Sequence, residues 1–74
     1  MEYAIVIEKA NETWSAHAPD LPGCIATGET IEEVKNNMRT AIEWHIEALR
    51  ESGEDVPEPT VQVAVVAIPA PKAA

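Results

Sequence analysis

The chain has 74 residues, 13 acidic against 5 basic, and a formal net charge of −8. A chain of this length supports one core and one domain. Its five cations, Lys9, Lys35, Arg39, Arg50 and Lys72, form no cluster; that argues against a protein that tracks phosphates, excludes direct DNA binding by this chain as the expected role, and favours a basic protein as electrostatic partner.

Residues 3–8, YAIVIE, are β-branched or aromatic on both alternating faces until Glu8, which predicts an interior strand. Ala10-Asn11-Glu12 reads as a tight turn, and residues 13–18, TWSAHA, alternate, with Trp14, Ala16 and Ala18 on one side and Thr13, Ser15 and His17 on the other. That is the pattern of a half-buried hairpin partner. Pro19-Asp20-Leu21-Pro22-Gly23 must turn, because two prolines fix φ and remove donors while Gly23 accepts positive φ. Residues 24–28, CIATG, give a short third strand.

Thr30 and Glu33 have the spacing of a capping box, with Glu32 and Glu33 on the positive helix end. The apolar stripe of the predicted helix runs through Ile31, Val34, Met38, Ala41, Ile42, His45, Ala48 and Leu49. Arg50, Gly53 and Pro57 mark its end. Residues 60–68, TVQVAVVAI, predict a fourth strand before Pro69 and Pro71. The domain is thus expected over 1–68, with a frayed tail over 69–74.

The expected fold class is α+β, in the order β-β-β-α-β: one mixed four-stranded sheet with one helix on one face. The two most apolar strands, 3–8 and 60–68, are placed centrally and parallel through a right-handed crossover. Apolar burial of about 107 kcal/mol meets an ordering cost of about 111 kcal/mol for a compact chain of this size. With one cysteine and no paired metal ligands, a partner subunit is the remaining common source of stability, so at least a dimer is expected. Tyr3, Ile5 and Val66, on the sheet face away from the helix, and Trp44, about 80 degrees off the stripe centre, are the candidate oligomer contacts.

Chemistry concentrates in HAPDLPGCIATGET, residues 17–30. His17, Asp20 and Cys24 are mixed ligand types without the paired knuckles of structural zinc, so no metal is expected. Cys24 with a histidine lacks an orienting third group and an oxyanion site, and reads better as a small buried hydrophobe. His45 fits a core histidine. The strand and helix order is that of the front part of a ribonuclease H fold, whose two-metal chemistry needs converging carboxylates. Glu8 and Glu33 could supply two, but the fourth strand offers only Gln62. Neither enzyme activity nor a cofactor is expected. No apolar run reaches membrane-spanning length, and no secretory signal opens the chain, which makes a cytoplasmic protein the expectation.

YAIVIEK, TWSAHAPDLPGCIATGET, IEEVKNNMRTAIEWHIEAL and GEDVPEP together resemble the HicB family of antitoxins. The resemblance rests on Pro19 to Cys24, Gly28-Glu29-Thr30, Glu32-Glu33, Ala41-Ile42 and Val56-Pro57-Glu58-Pro59, and covers about residues 3 to 68. It implies a partly degraded ribonuclease H-like fold that forms a homodimer or homotetramer and neutralises a small, basic, HicA-type ribonuclease toxin. Many family members carry a C-terminal DNA-binding segment; after residue 68 only PAPKAA remains here, too short to build one. A rigid proline loop loses little entropy on binding, so Asp20, Leu21, Pro22, Gly23 and Cys24, with neighbouring Trp14, are the candidate partner contacts. The alternative is a homo-oligomeric scaffold or regulatory domain of the same fold without a toxin.

Overall fold

The computed structural model describes residues 1–71. Three strands, β1 (Val6–Ala10), β2 (Thr13–His17) and β3 (Ile25–Gly28), form an antiparallel meander in chain order, followed by the helix α1 (Ile31–Glu51). The helix lies across β3 and β2. Hairpin β1–β2 turns at Asn11, whose φ of 58° lies in the left-handed region that asparagine tolerates better than most residues.

Register sorts the side chains. Ile7 pairs with Ala16 and Ala16 with Ala26, while Lys9 pairs with Trp14 and Trp14 with Gly28. This face meets the helix, and its central positions are small. The opposite face carries the row Val6, His17 and Ile25, all exposed. Because the facing strand residues are small, α1 packs close, and the large buried side chains come from elsewhere. Val34 and Met38 come from the helix, and Leu21 comes from the loop between β2 and β3. Ala16, Ala18 and Cys24 complete the buried core. Ala41, Ile42, Ile46 and Leu49 extend it along α1. The stripe therefore includes Ile46, which the sequence reading passed over, whereas Ile31 and Ala48 are exposed.

The helix ends follow their local signals. Thr30 Oγ1 accepts from the Glu33 amide at 3.0 Å, which is the hydroxyl half of the expected box. At the other end Glu54 N donates to Leu49 O and Gly53 N to Arg50 O, the paired bonds of a Schellman stop. Between strand and helix there is almost no room: a Cβ on Gly28 would lie 2.7 Å from Val34 N and 3.0 Å from its Cα. That contact explains a glycine two residues before the cap.

Two expectations about the sheet are corrected. Residues 60–68 form no strand: the described chain beyond the helix joins no ladder, so the sheet has three strands, all antiparallel. The first strand starts at Val6 rather than Tyr3 and lies at an edge, because the neighbour expected on its far side is missing. Val65 is 95% exposed and Ile68 81%, and the chain extends 57 Å along its longest axis. Its radius of gyration is 15.3 Å, whereas a compact chain of this length has about 11 Å. Of the tail expected at 69–74, residues 72–74 lie outside the described part.

Gly28→Ala should destabilise the domain by about 1–3 kcal/mol, because backbone rather than a flexible side chain must yield. Thr30→Ala should cost about 1 kcal/mol through the lost cap. Urea unfolding followed by helical circular dichroism checks both, with unchanged m-values expected.

Candidate protein-interaction surface

The loop between β2 and β3 is built from the inside. Ala18 N donates to Cys24 O, Leu21 N to Ala18 O and Cys24 N to Leu21 O, at 3.0–3.1 Å. Gly23 closes the turn at φ 84°, a conformation that costs other residues strain. With the backbone knotted in this way, Leu21 is driven inward to full burial. Two predicted contact residues therefore serve a different purpose: Leu21 and Cys24 face the core and offer a partner no side-chain surface. Pro22 and Gly23 form the exposed crest of the loop. Burial also raises the Cys24 thiol above its ordinary value by desolvation, the opposite of what an activated nucleophile needs.

Asp20 has a role that the sequence reading did not assign. Its Oδ2 accepts from the amides of Thr60 and Val61, both at 3.1 Å, and its Oδ1 accepts from Thr60 Oγ1 at 2.8 Å. Tyr3 adds a second tether, donating from its hydroxyl to Pro57 O. Together they pin the segment after the helix against the sheet and fix where the chain leaves the body. The Val61 amide, with the Thr60 hydroxyl next, holds the Asp20 carboxyl below its ordinary value. Forty residues separate these partners, and no local spacing signals the pair.

Trp14 is half-buried on the helix side of β2, with Lys9 Nζ 5.6 Å from its ring centroid, a cation–π distance. Trp44 is 69% exposed. Tyr3 and Ile5 were expected on the face turned from the helix. They instead pack against the core on the helix side, where they line a groove of about 760 Å³ between residues 1–5 and α1, floored by Met38, Ile42 and Ile46. Val66, also expected on that open sheet face, sits in the exposed segment beyond the clamp.

Among the described residues no three of His, Cys, Asp and Glu gather as metal ligands. His17 points from the exposed sheet face, and Cys24 is buried. Glu8 shares the face turned from the helix while Glu33 sits at the helix start, so these carboxylates do not converge. No helix among the described residues is long and apolar enough to cross a membrane.

Comparison with known proteins decides the family. The sequence model of the HicB_like antitoxin of bacterial toxin-antitoxin systems matches residues 3–71. The chain belongs to the HicB-like antitoxin family. A solved relative, the N-terminal domain of the Burkholderia pseudomallei antitoxin HicB, superimposes with a TM-score of 0.75 at 38% identity, over 84% of this chain and 74% of that one. Among curated relatives, a 14.9 kDa protein of the rep-hol intergenic region of Haemophilus phage HP1 is 41% identical over 58 residues. This HicB-like chain provides 78% of its own length to that match but spans only 44% of the phage protein. UPF0150 proteins of Thermoplasma acidophilum and Archaeoglobus fulgidus are 34% and 33% identical, and the chain spans 84% and 96% of them.

The Asp20 clamp should depend on pH with a definite sign. Its carboxyl is depressed in the folded state, so the clamp is complete above the ordinary aspartate value and fades as pH falls through the lowered one. NMR should show the Thr60 and Val61 amide shifts titrating together with the Asp20 carboxyl, below the ordinary aspartate range. Asp20→Ala should abolish hydrogen-exchange protection of those two amides while leaving the melting temperature nearly unchanged.

Proposed function

We propose that this HicB-like domain is the antitoxin of a toxin-antitoxin pair: a cytoplasmic protein-binding module that neutralises a small, basic, HicA-type ribonuclease by forming a complex with it. The observation that carries the reading is the family match over residues 3–71 in a chain of net charge −8. A field of that sign accelerates encounter with a cationic protein and repels RNA, so the module competes for the toxin and not for its substrate.

Inhibition by this route requires contact rather than chemistry from the antitoxin. The exposed crest at Pro22 and Gly23 is stiffened by its own backbone bonds and by burial of Leu21, so docking there orders little new structure. Trp14 lies two strand positions before Ala16 on the adjoining strand, and the acids Glu29, Glu32 and Glu33 sit exposed where β3 passes into α1. Asp20 contributes by holding the loop and the chain exit together. The working unit is a homodimer or homotetramer, and the expected ribonuclease H-like frame, which needs a fourth strand beside β1, is completed only in such an assembly. A homo-oligomeric scaffold without a toxin keeps the same fold and differs in having no cationic partner.

The test is to ask whether the gene beside this one encodes a small basic chain, whose absence counts against the reading, and, where it does, to purify that chain and follow its cleavage of RNA. Cleavage should fall to background at one antitoxin per toxin, and association should slow by roughly tenfold or more on raising salt from about 50 to 500 mM, as screening shortens the reach of the field. RNA cleavage that persists with the antitoxin in excess rejects the reading.

A further inference from the structure

Residues 61–68, VQVAVVAI, carry no charge and lie between the uncharged Thr60 and Pro69, yet they are left uncovered. Val63, Val65, Val66 and Ile68 are each more than two-thirds exposed. Apolar side chains occupy both alternating faces, the pattern of a strand that is paired and covered on both sides. Such a segment left in water is also an aggregation liability.

The same chain carries a place that fits it. β1 has a free edge, since the sheet order is β1-β2-β3. Beside that edge runs the groove floored by Tyr3, Ile5, Met38, Ile42 and Ile46. Eight residues in extended form span about 26 Å, the length of the stretch from Tyr3 to Ala10. Groove and segment nevertheless do not meet within one chain: the Asp20 and Tyr3 tethers hold residues 57–61, and beyond them the segment departs from the body.

Surface area favours a second copy as the occupant. The chain exposes 6007 Å², about 1,550 Å² more than a compact chain of its mass. Two copies exchanging their segments would cover an excess of about 3,100 Å², within the range of obligate homodimers. We infer that residues 61–68 of one copy add as a strand to the free β1 edge and apolar groove of a second copy, and that the exchange is reciprocal. Donor and acceptor then sit on every chain, and a two-fold axis closes the pair without leaving an open end. The inference concerns self-assembly and stands whether or not a toxin exists.

Two measurements on the full chain test it. In a dimer refolded from a mixture of 15N-labelled and 13C-labelled copies, isotope-filtered NMR should give contacts between residues 61–68 and 3–10 that cross from one label to the other. Contacts confined to one chain, or a segment without contacts at millimolar concentration, overturn the inference. In parallel, Val65→Pro lies outside the core, so circular dichroism should show the helix intact. It should weaken the dimer on the order of 100-fold in light-scattering dilution series, since proline disrupts strand pairing; a dimer equally strong in the variant overturns the inference as well.

Discussion

The burial of Leu21 between α1 and the sheet is the contact on which the remaining structure depends. The central strand positions facing the helix, Ala16, Ala26 and Gly28, are small, as is Ala18 just beyond β2, so the sheet alone could not fill the space beneath a long helix. A loop residue fills it. Leu21, Val34 and Met38 are the largest fully buried side chains, and only two of them belong to regular elements. The proline-rich loop is therefore first a structural plug, and any contact it makes with a partner uses the outside of a turn whose inside is already committed.

That arrangement accounts for what could be read from the sequence. The second hairpin strand, the short third strand and the helix appear close to their expected limits because each has a local cause, such as alternation in 13–18, the Thr30 cap and the Gly53 stop, whereas the first strand, expected at 3–8, lies at Val6–Ala10. The inward set of β2 was legible for the same reason. The fourth strand was not, because its apolar character shows only that it wants cover and says nothing about which chain supplies it. Propensity and burial preference agree at 60–68; the partner is a tertiary or quaternary fact. Burial of Leu21 and Cys24 was hidden as well, since a loop rich in Pro and Gly reads as surface until its internal hydrogen bonds are known.

The Asp20 carboxylate shows how long-range order escapes sequence patterns. An acid in a turn reads as a solvated charge or as bait for a cation. Here it accepts three bonds from Thr60 and Val61 and anchors the far end of the chain. The family resemblance and the physical reading converge at this loop without assigning the same duty to each residue: Pro22 and Gly23 stay available outside, Leu21 and Cys24 turn in, and Asp20 joins two distant segments.

A meander whose spatial order equals its chain order, followed directly by the helix packed on it, is held largely by contacts between elements adjacent in the chain. Loop-closure entropy is small for each step, and topologies of this kind fold quickly. On a ribosome the body can collapse as soon as the Gly53 stop has left the exit tunnel. The residues that follow then meet a surface already able to form, to which the Tyr3 and Asp20 tethers attach residues 57–61.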